Sequence, residues 1–568
     1  RQSHELSGPD ANAGPAIREY PDLMNNLFNL ARGGLSVAQA ALRVTGDNLT
    51  NGMSGTYSRR SLIIGELGGM TTGQGFFGYG ARAGGVERAY DAFANNELRG
   101  SLSHYASLNG RMEQLSDIDN MLADESDNVS VSLNDMFKAM ATLSGDAADG
   151  PARAAVFNAL GTLANRFNAS AKRLTALEKS TNTQIEQSAK DINSYTQQLA
   201  EVNKQLERAQ GNGAPPADLL DQRDALLEKM SEHIGITVTE DKTTGRVDVL
   251  LSDGRPLVSG DRAYKLQTSP SDADPNKTIV SYVDANENAS PLDESSITKG
   301  RLGGLFKFRN EDLTIARQEL DQIAFTMANR MNEQHAEGYT PDGDKGGDLF
   351  SLADIKAYAN AKNTGTGKLG AINVTNYTDV KSENYTVTSD GAGGWTVTGE
   401  DGRTVPATLV GDNLTFDGIE IDVSGGGFDD GDSFTLNPIA GAAEGMARSL
   451  GSAQEFAAAG DKDGGPGDNT NLEEMLKIQD QKLIGDNTLT EAYASLVGTI
   501  GDRARGVKSA LVSAETDLRT KYDTKQALSG VNMDEEYINL DMFKQYYNAN
   551  AQLLKTATDM FDALLSIR

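Results

Sequence analysis

Near each end of the chain, apolar and small residues recur in alternating steps of three and four. At the front the run is Phe28, Ala31, Leu35, Ala38, Leu42, Thr45 and Leu49. At the back it is Leu540, Phe543, Tyr547, Asn550, Leu554, Ala557, Phe561 and Leu564. That alternation, averaging about 3.5 residues, draws a continuous seam along one face of a helix. A second stripe at Tyr546, Leu553, Met560 and Ile567 widens the C-terminal face, which must therefore bury against more than one neighbour. Chain ends are where disorder usually concentrates, yet both ends here are adhesive helices. A lone amphipathic helix gains little until its face is covered. The two ends are therefore expected to pair, to stay mobile in the monomer and to order on assembly.

Inboard of these ends the pattern stays helical. Leu108, Met112, Leu115, Ile118 and Leu122 form one stripe. Ile185, Ser188, Ile192, Tyr195, Leu199, Val202, Leu206 and Ala209 form a longer one, stopped by "GNGAPPAD". Further helices are expected over 311–336 and about 471–526, all read as bundle core rather than cofactor boxes. Two stretches switch to period two. Residues 236–296 hold "ITVTEDKTTGRVDVLLSDGRPLV" and "TIVSYVDA"; residues 370–437 hold "YTVTSDGAGGWTVTGED", "NLTFDGIEIDV" and "GDSFTLNP". Short β-branched runs broken by Asp-Gly and Gly-Gly predict hairpins. The expected fold class is α+β multidomain: a helical bundle or coiled-coil stalk formed by the N- and C-terminal segments, carrying inserted all-β domains.

A chain of 568 residues is too long for one core and should divide into three or four domains. With 52 Lys and Arg against 81 Asp and Glu, its net charge of −29 repels nucleic acid and anionic membrane. No apolar window of about 18 residues is present to span a bilayer. There are no cysteines, so thiolate metal sites and disulfides are excluded. Residues 1–23, "RQSHELSGPDANAGPAIREYPDL", show neither helical nor strand period and lack the apolar core of a signal peptide. They read as a translated leader or expression scar before Met24, with a genuine disordered extension as the alternative.

Catalytic and metal-binding constellations are not evident. The histidines His4, His104, His233 and His335 adjoin no nucleophile elbow and no metal-spaced cluster; His104 and His233 read as solvated or capping residues. "DGDKGGDLF" (342–350) offers Asp342 and Asp344, but Gly346 and Ala353 occupy the fifth and twelfth positions of a would-be calcium loop. "DKDGGPGDN" (461–469) fails similarly, and both read as polar turns. No enzyme activity and no cofactor are expected. What remains is "DNLTNGMSGTYSRR" (47–60), a break rich in Asn and Gly immediately after the first seam.

That stretch resembles the Asn-rich turn, roughly N-[IL]-A-N-x-x-T-P-G-Y-S-R, of axial proteins of the bacterial flagellum. Asn48, Leu49, Asn51, Tyr57, Ser58 and Arg59 match; Ser54, Gly55 and Thr56 stand where Thr, Pro and Gly are usual. "GVERAYDAFANNELR" (85–99), "RMEQLSDIDNML" (111–122), "DLLDQRDALLEKM" (218–230), "GRLGGLFKFRNEDL" (300–313) and "AYASLVGTIG" (492–501) look like the hook-associated protein 1 (FlgK) family. So does nearly all of 529–568. The resemblance covers Met24 to Arg568 and is weakest in the β inserts.

It implies nested domains: 1–23 a leader outside the family; 24–64 and 527–568 the innermost terminal helical domain; 65–235, 297–340 and 441–526 the helical stalk; 236–296 a small β domain; 341–440 an outer β domain. It also implies a ring of subunits at the junction between hook and filament. The implied partners are the chain itself, the hook protein, the second junction protein (hook-associated protein 3), an export chaperone at the C-terminal helix, and the flagellar type III export apparatus, with an extracellular location on the flagellum. The interface residues would be Phe28, Leu35, Leu42, Asn48, Leu49, Asn51, Tyr57 and Arg59 at one end. At the other they would be Leu540, Phe543, Tyr547, Leu553, Leu554, Met560, Phe561, Leu564 and Ile567. The alternatives are a hook or rod subunit, or a surface adhesin using the β inserts, with Trp395 as a sugar platform or as simple packing.

Overall fold

The computed structural model describes residues 16–73, 75–124, 126, 128–209 and 214–566. His4 and Ile567 lie outside them. Helix α1 (Ala16–Asn51) starts inside the segment set aside as leader, so residues 16–23 are helical. Periodicity reports a buried face rather than helicity itself, and a helix once nucleated extends at one hydrogen bond per residue without one. The helix also runs through Asn48 to Asn51 before the Asn-Gly break takes effect.

A second departure follows. Residue 65 was expected to open the helical stalk, but the chain first builds a β-hairpin arm. Strand β1 (Arg60–Glu66) leads through β2 (Gly69–Thr72) and β3 (Gly75–Gly78) to β4 (Ala81–Arg88), with β1 paired to β4 and β2 to β3. Most of the arm is exposed on both faces. The alternation that advertises a half-buried strand is therefore missing.

The stalk begins with α2 (Ala92–Leu122), α3 (Val129–Ser144), α4 (Gly150–Arg208) and α5 (Ala217–His233). Asp149 caps α4 by accepting from the Ala152 amide, and Pro151 sits in the first turn, where its missing N–H costs nothing. The 185–209 stripe is the second half of this 59-residue helix. A small β domain follows: β5 (Thr237–Glu240), β6 (Val247–Leu250), β7 (Pro256–Ser259) and β8 (Arg262–Ala263) form one sheet. Strands β9 (Lys265–Pro270), β10 (Thr278–Val283) and β11 (Ala289–Pro291) form another.

The chain re-enters the stalk through α6 (Gly300–Lys307), a π-helical turn (Phe308–Leu313) and α7 (Thr314–Glu337). The wider turn aims its charges at different neighbours. Arg309 reaches Thr278 O at 2.6 Å and Glu294 at 2.7 Å in the small β domain, while Asp312 takes Arg111 of α2 at 2.7 Å.

After β12 (Phe350–Ser351) comes the outer β domain. Its strands are β13 (Ala357–Ala359), β14 (Ile372–Val374), β15 (Tyr385–Asp390), β16 (Trp395–Thr398), β17 (Thr404–Val405), β18 (Thr408–Val410), β19 (Asn413–Phe416), β20 (Ile419–Asp422) and β21 (Asp430–Leu436). They form two antiparallel sheets, ordered β13-β21-β15-β16-β17 and β14-β20-β19-β18. The chain returns by β22 (Ala447–Arg448), which pairs with β12, so the outgoing and incoming crossings lie side by side. It ends in α8 (Thr470–Lys477), α9 (Leu489–Ser529) and α10 (Met533–Ser566). A Thr488–Glu491 capping box opens α9.

Each unit has its own core. Leu133, Phe167, Phe325 and Leu496 belong to the stalk core. Ile192, Met230, Val249 and Leu305 join α4 and α5 to the small β domain. Tyr385, Val397, Phe416 and Ile421 fill the space between the outer sheets.

Candidate assembly interface

The two terminal helices pair antiparallel, with Phe28 meeting Phe561 edge-on at 6.4 Å and Gly34 abutting Asn550. On α1 the buried residues are Ala31, Gly34, Val37, Ala38, Ala41, Val44, Thr45 and Asn48, a stripe broader than a single three-and-four seam. Of the expected seam, Ala31, Ala38 and Thr45 lie in that stripe, while Phe28, Leu35, Leu42 and Leu49 flank it half-buried. Small residues occupy the middle because α1 is covered closely on two sides. A Cβ on Gly34 would come within 2.0 Å of Asn550 Oδ1, and one on Gly33 within 2.7 Å of Ala81 O in β4.

On α10, Asn550 and Ala557 are buried and Leu540, Phe543, Tyr547, Leu553 and Leu554 are half-buried. Met560 and Phe561 are exposed, as are Tyr537, Ile538, Met542 and Tyr546. The Leu564 side chain lies outside the described residues. A cleft of about 620 Å³ opens where Leu30, Gly34, Phe76, Ala81, Tyr546 and Asn550 meet.

The break at 47–60 is pinned by one side chain. Asn48, 1% exposed, donates from Nδ2 to Arg60 O at 2.8 Å. Its Oδ1 accepts from the Arg60 amide at 3.0 Å and from the Tyr57 hydroxyl at 2.9 Å. Burial, chiefly, pushes the Tyr57 hydroxyl up to about 12, so it stays a donor. Asn51 is exposed and donates only to Asp47 O, one turn back on its own helix. Arg59 binds the end of α9 through its amide (2.8 Å to Ser529 O) and faces Glu535 at 3.5 Å. Met53, at the tip of the turn, is 91% exposed.

Sequence reading missed a charge cluster at the root of the arm. Arg88 Nε lies 2.8 Å from Asp221, and its guanidinium also pairs with Asp224. Arg60 approaches Asp221 at 3.5 Å. Fully buried Arg223 donates to Asp224 (2.9 Å), to Glu240 (2.6 Å) and to Gly245 O (2.5 Å). Tyr90 lies under the Arg88 guanidinium at 4.8 Å, and burial, then Asp224 and Glu240, raise its hydroxyl to about 12. Burial works against the Asp224 carboxylate, but Arg223 and Arg88 outweigh it and hold the group below its ordinary range. The cluster ties the terminal layer (β1, β4) to α5 and to β5 of the small β domain. Removing one member of such a buried pair is costly, because it leaves an uncompensated charge out of water. "GVERAY" and "DLLDQRD" carried the only signal: charges within otherwise apolar helical and strand patterns.

In the outer domain the Trp395 ring packs 4.8 Å from Phe428 and 6.4 Å from Phe434, as core rather than as an open platform. The loop at 342–350 is a hydrogen-bonded turn, with Thr340 and Asp344 joined through backbone and side chain.

The chain is similar to "Flagellar hook-associated protein 1" of Salmonella typhimurium. The two are 37% identical over 556 residues, spanning 96% of this chain and the whole of the relative. The chain belongs to the flagellar hook-associated protein 1 family. The Escherichia coli K12 member is 35% identical over 551 residues, again across 96% of this chain and the whole of the relative. Family models place the FlgK helical domain at 115–350, a D2-like domain of hook-associated protein 1 at 358–438, and a basal body rod FlgEFG protein C-terminal region at 526–567. A solved structure described as the flagellar hook junction protein FlgK from Burkholderia pseudomallei shares the fold. Its TM-score is 0.68 at 23% identity, covering 76% of this chain and all of that one.

Within this hook-associated protein 1 family member, the rod-type C-terminal match runs from the last turn of α9 through α10, where Tyr537, Ile538, Met542, Tyr546, Met560, Phe561 and Leu565 are exposed. Among the described residues no helix is long and apolar enough to cross a membrane.

Proposed function

We propose that the chain is a structural subunit of the ring that joins hook to filament, outside the cell. The terminal helices, the arm and the 47–60 turn would form its contacts with neighbouring copies. The observation that carries this reading is the apolar surface that α10 and the arm leave uncovered after pairing within the chain. Ile538 is 69% exposed and Phe76 66% exposed, with Ile63, Ile64, Met542 and Met560 near half. A monomer rarely leaves this many large apolar side chains exposed on one helix and an adjoining arm without a partner. Copies of the same chain supply the sideways partners, the hook protein lies below, and hook-associated protein 3 lies above. During delivery by the flagellar type III export apparatus, an export chaperone would mask the face of α10 that carries Leu553 and Met560.

Electron microscopy of a deletion strain tests this: cells should carry hooks without filaments. Normal filaments on such cells would overturn it.

A further inference from the structure

We propose that His335 is a proton-released latch that seats the incoming crossing of the outer β domain on the stalk. His335 lies in the last turn of α7, fully buried, and both ring nitrogens are committed. Nδ1 lies 2.6 Å from Gly347 O, which can only accept, so Nδ1 carries the hydrogen. Nε2 lies 2.8 Å from the Ala457 amide, which can only donate, so Nε2 must be bare. The partners therefore select one neutral tautomer, and an imidazolium would turn Nε2–H against the Ala457 N–H.

The stretch held by this ring is 456–459, the final anchor of the chain returning from the outer domain. Its other contacts do not titrate near neutrality. Arg153 holds Phe456 O at 2.8 Å, Asn471 holds Ala457 O at 2.8 Å, and Tyr339 exchanges backbone bonds with Ala459. His335 also fixes the outgoing crossing through Gly347, so a single ring links both crossings. The Phe456 ring, 5.4 Å away, seals it from water. Asp348 in the neighbouring loop favours the charged ring; Arg153 presents a cation from the α4 side of Phe456, and Lys345 reaches Glu337 O on the α7 side. Burial prevails over Asp348 and the Gly347 bond, and it lowers the ring's proton affinity.

The sign follows directly. The folded ring takes its proton at lower pH than an exposed one, so its contribution is complete above about 6.5 and is lost as pH falls below that value. Mild acid should then loosen 456–459 and the seating of the outer domain. The α1–α10 pair contains no histidine and should be unaffected.

Hydrogen exchange on the full chain between pH 7.5 and 5, corrected for intrinsic rates, tests the latch. Peptides covering 453–460 should lose about tenfold or more in protection, the equivalent of one pH unit of linkage, while peptides within 31–45 of α1 keep theirs. His335→Gln, whose side-chain carbonyl can accept from Ala457 at every pH, should abolish that pH dependence. Should this variant misfold, titration of the His335 ring by NMR in the unaltered chain decides. A midpoint below 6.5 supports the latch; a midpoint at or above 6.5 overturns it. Constant protection of 453–460, or the same loss in His335→Gln, would also overturn it.

Discussion

Replacing Asn48 by Ala separates two roles that look alike in the sequence. Asn48 and Asn51 belong to the same turn, three residues apart, yet only Asn48 is buried and bonded across the turn. Asn48→Ala removes three hydrogen bonds, two of them to the Arg60 backbone where β1 begins. The half-buried Tyr57 hydroxyl can turn to water, so most of the cost comes from the stranded Arg60 amide and carbonyl. Buried groups left unpaired cost about 1–3 kcal/mol each, giving about 3 kcal/mol of local destabilisation. Asn51→Ala loses one exposed bond within its own helix and should cost under about 0.5 kcal/mol. Asn48→Asp keeps the acceptor but points a second oxygen at Arg60 O, so it should resemble Ala rather than restore the turn. The chain has several cores and need not melt in one step, so the assay is hydrogen exchange across 52–66. Asn48→Ala should speed exchange there on the order of a hundredfold, and Asn51→Ala hardly at all. Equal effects of the two alanines, or unchanged exchange in Asn48→Ala, would refute the assignment of Asn48 as the pin.

Gly33→Ala sets a Cβ against the Ala81 carbonyl and should cost about 1–3 kcal/mol. Gly46→Ala meets open space and should stabilise α1 by up to about 1 kcal/mol; exchange across 28–50 compares them. Arg88→Met takes from Asp221 its nearest cation and leaves Asp224 with Arg223 alone, and should cost about 3–5 kcal/mol at neutral pH, read by chemical denaturation. In the intact chain the Asp224 contribution is present above its unfolded value of about 4 and is lost below it, so the deficit of Arg88→Met should shrink in acid. Ala357 and Leu436 are paired neighbours, so excising 358–435 behind a two-residue turn should leave the stalk folded and filaments present. Loss of filaments from a folded, exported variant would count against a peripheral outer domain.

The α+β class and the two terminal seams were legible in the sequence because periodicity is local: spacings of three and four, or of two, state which face will be dry. Which residues form the middle of a seam was not. Leu35 and Leu42 lie on the expected seam, but the close approach of β4 and α10 makes its small members Ala31, Ala38 and Thr45 the driest and adds Gly34 and Ala41, which the seam omitted. The arm at 60–88 escaped detection because exposure on both faces erases alternation. The meeting of Arg88 with Asp224 could not be foreseen, since nothing local reveals that positions more than a hundred residues apart will meet. The sequence by itself determined where helices and strands could form and which faces needed cover. Only the tertiary structure decided which cover each face received, because that depends on how closely distant backbones approach.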